Sequence, residues 1–216
     1  MCANKEYRSV LEQVSAEDLI NKSKFIANTK HVLSEEEAIA FINQMKDKYK
    51  DATHNVSAYI INSNIPTKRY DEDGEPQGSS ARPILSVMEM EGLSNIVCVV
   101  TRYFGGIKLG VGGLVRAYLG AFKKSIEGKI YDYGSFLKYR LNFPYAEFDK
   151  IKNYLSHTVY DLDNLEYMEN ISADIYIKEE DSEEFLEMLK NLSNRELDYE
   201  FADEYIKAHI DKRIVK

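Results

Sequence analysis

The chain has 216 residues, of which 44% are apolar, 12% aromatic and 30% charged, a balance that excludes intrinsic disorder and predicts globular structure. No run of ten uninterrupted apolar residues occurs, which excludes a helical bilayer span and predicts a protein without a secretory leader. At ~100 to 200 residues per domain, the length holds one large or two small domains whose cores need no disulfide or metal staple.

The formal net charge of −8 is unevenly placed. Up to Gly134 there are 17 Lys plus Arg and 17 Asp plus Glu, and beyond it 11 against 19. Within the balanced part, Gly92 to Ile126 carries Arg102, Lys108, Arg116, Lys123 and Lys124 and no acid. A local basic field therefore sits on an acidic molecule. Cys2 lies at the terminus and Cys98 inside an apolar run. Two such thiols make no framework and predict a reducing, cytoplasmic setting.

In chain order, residues 6–15 and 24–33 read as strands joined by a polar segment around Glu17 to Ser23. Ser34 with Glu37 makes a capping box, Glu35 to Glu37 crowd the first turn, and Lys46, Lys48 and Lys50 the last, which predicts a helix over 35–50 with Ile39, Ile42, Met45 and Tyr49 as its apolar stripe. A strand follows at 53–62, and then Asn64 to Ser80, too polar and too rich in breakers to form an element. Residues 81–91 read as a helix capped by Ser80 with Pro83 in the first turn. The run Ile96 to Val100 predicts a strand buried on both faces. A glycine-rich loop, Arg102 to Gly113, leads to a helix over 114–126. After Gly134 the pattern restarts as strand 136–143, helix 145–156, strands near 159–167 and 171–178, helix 181–192 and strand 197–206. That βαββαβ order fits a small two-layer ferredoxin-like domain.

Five of the eleven glycines fall in nine positions: Gly105, Gly106, Gly110, Gly112 and Gly113. Clustered between a buried strand and a helix, they predict positive φ angles or a close approach by another group. The free N–H groups of a helix start favour an anion, and Arg102, Lys108 and Arg116 add charge. The loop matches neither G-x-x-x-x-G-K-[ST] nor G-x-G-x-x-G. A tight turn that packs helix on sheet is the structural alternative.

The strings TRYFGGIKLGVGGLVRAY (101–118) and DEDGEPQGSSARPIL (71–85), with KSKFIA (22–27) and ATHNVSAY (52–59) upstream, resemble the YigZ/Impact family in four segments in the right order. The resemblance implies an α+β chain: a ribosomal protein S5 domain 2-like N-terminal domain over 1–134, then a ferredoxin-like domain over 135–216 similar to the last domain of elongation factor G. It also implies a link to translation, since eukaryotic Impact proteins regulate initiation through a partner of a stress kinase. The same S5-like fold serves ribosomal RNA binding and small-molecule kinases, so fold leaves function open.

Among individual residues, Arg102, Lys108 and Arg116 are candidate phosphate contacts, with Tyr103 or Phe104 as a stacking face or else as core. His54 is a candidate general base or a loop anchor. Many family members carry cysteine two positions later, where this chain has Val56, which argues against a thiol nucleophile. Asp71, Glu72, Asp73 and Glu75 invite a Mg²⁺ reading or an acidic loop folding against Lys108 and Arg102, and they lack the twelve-residue Ca²⁺ loop. His31, His157 and His209 are isolated, so no metal or other cofactor is expected. The leading expectation is a cytoplasmic, translation-linked regulator that binds RNA or a ribosome-associated partner, not a membrane, through the glycine loop supported by His54, Asp71, Asp73 and Glu75. The alternatives are an enzyme acting on a phosphorylated small molecule and a protein-binding adaptor.

Overall fold

The structure, a computed structural model, describes residues 5–194 and 197–215; Cys2 lies outside them. It divides into two compact units that meet at Asp132 and Tyr133. Together they hold two antiparallel sheets and five α-helices among the described residues.

The first unit begins with β1 (Tyr7–Val10), β2 (Val14–Ile20) and β3 (Ser23–His31). The expected single strand over 6–15 is thus two strands, and most of the expected polar connection is β2. Its burial alternates residue by residue, as an edge strand with one wet face should. The turn into β3 is Asn21–Lys22, at φ 47° and 66°, a two-residue hairpin of the primed type without the glycine that usually announces it.

Helix α1 (Glu35–Lys48) follows, with the Ser34 hydroxyl accepting from Glu37 N–H at 3.2 Å. The Glu37 carboxylate reaches back to Leu33 N–H at 2.8 Å. Ala38, Phe41 and Met45 are buried, whereas Ile39 is 47% exposed, so the buried stripe is rotated from the expected one. Strand β4 (His54–Ile61) pairs with β5 (Thr67–Asp71), an exposed edge strand inside the segment expected to hold no element.

Helix α2 (Ala81–Met90) starts at Ser80, whose side chain does not cap it. The Glu72 carboxylate does so instead. It accepts from the N–H groups of Gly78 (2.9 Å), Ser80 (3.0 Å), Ala81 (2.8 Å) and Arg82 (3.3 Å) and from the Ser80 hydroxyl. An anion here meets both the orphan donors and the positive dipole end. Strand β6 (Ile96–Tyr103) and helix α3 (Gly110–Ile126) complete the unit.

The sheet order is β2-β3-β6-β4-β5, with β3 and β4 both antiparallel to the β6 between them. The β3-α1-β4 connection therefore joins two parallel strands across an inserted third. Strand alternation sends Val56, Ala58, Ile60, Cys98 and Val100 to the face covered by α2 and α3. Tyr59, Ile61, Val97 and Val99 go to the face covered by α1. That explains the uninterrupted apolar run of β6. Cys98 is fully buried, and burial pushes its thiol up to about 12, the state of an inert hydrophobe.

The second unit is built from β7 (Ile130–Phe143), which enters across the boundary, then α4 (Tyr145–Leu155), β8 (Leu162–Tyr167), β9 (Ile171–Lys178), α5 (Ser182–Leu192), β10 (Asp198–Ile210) and β11 (Arg213–Ile214). The order β11-β10-β7-β9-β8 places β7 and β9 centrally. Leu141, Phe143, Ile171, Ala173, Ile175 and Ile177 pack with Ile151 and Leu155 of α4 and with Phe185, Leu186 and Leu189 of α5. On the other side of β9, Asp174 is buried and held by Lys138 (2.9 Å), Arg140 (3.1 Å) and Asn164 (2.7 Å).

Burial by itself raises the Glu72 pKa, but the Ser80 hydroxyl and the N–H groups of Ala81, Arg82 and Gly78 bring it below the ordinary 4.5 on balance. A depressed folded value adds stability that is complete above the unfolded value and disappears as pH falls through the folded one. Glu72→Gln should therefore cost about 1–2 kcal/mol at neutral pH. Urea denaturation of both proteins should show the gap closing below pH 4.5; a gap independent of pH refutes the charged cap.

Candidate functional site

The four sequence segments quoted above meet where β3 and β4 begin and β6 ends. Alternation from Val100 and Val56 turns Arg102 and His54 toward the α2/α3 face, and the register sets them opposite each other. Glu75, from the acidic loop, places Oε1 2.6 Å from Arg102 Nη1, with both side chains more than nine-tenths buried. The Tyr118 hydroxyl, on the inner face of α3, donates to the same carboxylate oxygen at 2.7 Å. Burial, followed by Glu75 itself, holds that phenol protonated well above its usual range. The guanidinium carbon lies 5.5 Å from the Phe25 ring centroid and 5.4 Å from that of Phe104, the stacking geometry of a cation on aromatic faces.

His54 donates from Nδ1 to the Asp73 carbonyl at 2.7 Å, because a carbonyl can only accept. That leaves Nε2 3.8 Å from Glu75 Oε1. Asp73 also accepts from Asn55 N–H, and the Asn55 amide oxygen accepts from the Thr101 hydroxyl at 2.7 Å. His54 is thus a clamp between β4 and the acidic loop. Asp71 and Asp73 both pair with Lys46, at 3.3 and 3.8 Å. Of the four acids considered for a cation, Glu72 caps a helix and the other three hold this chain's own bases. Among the described residues no metal-competent group of His, Cys, Asp and Glu occurs.

The glycine loop divides at Gly106. Before it, Phe104 N–H donates to the Thr53 hydroxyl at 3.0 Å and Gly105 N–H to the Ser23 hydroxyl at 3.2 Å. A Cβ on Gly105 would stand 2.0 Å from the Lys22 carbonyl oxygen, so this glycine is required by the hairpin tip packed against it. Beyond it, Gly106 and Gly110 have φ of 84° and 69°, and a Cβ on either, or on Gly112, would meet nothing within 4 Å. Helix α3 starts at Gly110 rather than Leu114, so Gly112 and Gly113 belong to its first turn. That turn has no acid and no side-chain cap. Lys108 and Arg116 are exposed beside it.

The proposed anion contacts therefore fall into two groups. Arg102 is consumed by Glu75, Gly105 by Lys22, and Tyr103 by a hydrogen bond from its hydroxyl to Asp51 at 2.9 Å. Gly106, Lys108, Gly110, Gly112 and Arg116 border open surface, whereas Gly113 is half-buried, with Leu109 3.1 Å from where its Cβ would stand. Phe104 is 46% exposed and is not core. A cavity of about 540 Å³ in the second unit and one of about 460 Å³ between α2 and α3 include none of these residues. The sequence reading missed Tyr118, Thr53 and Ser23 as polar partners. Tyr118 carried one signal: a hydroxyl in register with the small inward residues Ala117 and Ala121.

Removing one member of a buried ion pair strands the other, so Arg102→Met should cost about 3–5 kcal/mol in chemical denaturation. Tyr118→Phe should cost about 1 kcal/mol. Near-equal small losses for the two variants refute the assignment of Arg102 and Glu75 as the anchor.

The profile of the Impact N-terminal domain matches residues 21–126, and that of a domain of unknown function, DUF1949, matches 141–194. IMPACT family member YvyE of Bacillus subtilis is 36% identical over 197 residues, covering 89% of each chain. The protein IMPACT homolog of Saccharomyces cerevisiae is 35% identical over 94 residues, 41% of this chain and 35% of that one. A crystal structure of a hypothetical protein is similar with a TM-score of 0.58 at 26% identity, covering 92% of this chain and 98% of the other. With both profiles matched in order and a relative aligned over nearly its full length, the chain belongs to the IMPACT family.

Proposed function

We propose that this chain is a cytoplasmic, translation-linked regulatory protein that binds RNA or a ribosome-associated partner through the basic start of α3. The observation that carries the reading is an uncapped, exposed helix N-terminus, free of acids and flanked by Lys108 and Arg116. First-turn N–H groups and two mobile cations suit phosphate oxygens. The translation link is what family resemblance implies. No helix among the described residues is long and apolar enough to cross a membrane.

Open surface favours a macromolecule over a small phosphorylated substrate, which would need an enclosing pocket. The rival enzyme reading also needs acids free to hold Mg²⁺, and Glu72, Asp71, Asp73 and Glu75 are engaged within the chain. No cofactor is invoked. We further assign the first unit to the S5 domain 2-like fold, on the β3-α1-β4 crossover around β6. The strand order β10-β7-β9-β8 in a βαββαβ chain supports a ferredoxin-like second domain.

Structured RNA titrated at several salt concentrations should bind with log K falling by ~0.7 to 0.9 per log unit of salt for each phosphate contact. Lys108→Glu with Arg116→Glu should lower affinity and flatten that slope. Gly112→Ala has room and lies in a helix, so it should leave stability equal or higher by up to about 1 kcal/mol. An affinity that ignores both salt and the double charge reversal overturns the proposal.

A further inference from the structure

Strand β10 has 13 residues, and its two edges are treated differently. One edge pairs with β7 along the sheet. The other is covered only at its end, where His209 and Ile210 oppose Ile214 and Arg213 of β11 and Val215 N–H reaches the Ala208 carbonyl at 2.9 Å. In an antiparallel ladder the N–H and C=O of one residue point the same way and alternate from residue to residue. Two residues before Ala208, Ile206 turns its N–H and C=O to the same outer edge, and among the described residues no strand lies beyond Asp198 to Ile206.

Long open edges invite pairing, and proteins blunt them with proline, lysine or short strands. Asp198 to Ile206 contains no proline and no lysine. Its side chains include Tyr199, Phe201, Tyr205 and Ile206, between 36% and 54% exposed. The same strand carries Asp198, Glu200, Asp203 and Glu204 against Lys207 alone. Elsewhere in the unit Lys138, Arg140, Lys150 and Lys212 are each paired with carboxylates of their own, and Lys190 Nζ lies 5.8 Å from the Tyr199 ring centroid.

We propose that the outer edge of β10 is a docking edge for an extended, basic segment of a partner protein, which adds to the sheet as one more strand. Main-chain hydrogen bonds along this edge, Ile206 among them, would supply affinity, and lysine or arginine side chains set against the β10 carboxylates would supply selectivity. A nucleic acid is repelled by this field. A second copy of the chain would align four carboxylates with four more. The surface is remote in sequence from the glycine loop, and the proposal stands whether or not that loop binds RNA.

The test titrates the full chain into a fluorescein-labelled synthetic peptide of about twelve residues alternating lysine with valine and threonine. Anisotropy should show saturable, salt-sensitive binding, and amide exchange should slow at Ile206 and within Asp198 to Tyr205. Ile206→Pro removes an outward N–H and no bond to β7, so the variant should keep its circular dichroism and bind at least about tenfold more weakly. Should it fail to fold, Glu200→Lys with Asp203→Lys provides a second reading, with preference passing to the glutamate version of the peptide. Absent binding, exchange protection elsewhere, undiminished binding by folded Ile206→Pro, or protection of β10 by self-association without peptide would each overturn the proposal.

Discussion

The ion pair between Glu75 and Arg102 is the constraint on which the first unit's functional end depends. Two charges removed from water cost several kcal/mol each, and the cost is recovered only with short contacts and further hydrogen bonds. Here the separation is 2.6 Å, Tyr118 donates to the same oxygen, and two aromatic rings lie over the guanidinium. Each added partner comes from a different part of the chain. Phe25 comes from β3, Tyr118 from α3 and Phe104 from the glycine loop. One Arg102 nitrogen, Nε, has no hydrogen-bond partner despite its burial. The anchor is thus strong in position and incompletely satisfied, and a loss at any contributor is felt by the others.

This anchor also decides what the glycine loop can offer. By drawing in Arg102 and seating Phe104 and Gly105 on Thr53 and Ser23, it fixes the loop's first half in place. The second half is then projected as bare backbone leading into α3. A charge that looked available for a ligand holds the scaffold, and the charges left for a ligand are Lys108 and Arg116. The acidic loop behaves likewise. Its carboxylates finish a helix, neutralise an arginine and engage Lys46, so its polarity is spent within the fold.

Much of the architecture was legible because it rests on local or periodic signals. The β6 run, the α1 cap and the α4 and α5 patterns declare themselves through burial period and end chemistry. The elements that were not legible failed for identifiable reasons. Strand β2 has polar residues on its wet face, and β5 is exposed almost throughout, so their pairing comes from neighbours and not from composition. Periodicity alone places Ile39 in the α1 stripe, because a 3.6-residue repeat tolerates a rotation. Only the seat provided by Val97 and Val99 selects Ala38 and Phe41. The start of α3 lay hidden because glycine is a poor helix former in isolation.

The amino-acid sequence by itself determined the buried central strand, the glycine cluster and the segregation of negative charge into the last third, since each is a property of composition or short-range spacing. Tertiary structure alone decided which charged residue serves the fold and which faces solvent. Arg102 and Lys108 are six positions apart and equally basic. One is buried beneath Phe104 against Glu75, the other exposed beside α3. The distinction arises because pairing partners distant along the chain, and the dehydration that comes with them, exist only after the strands and helices have packed.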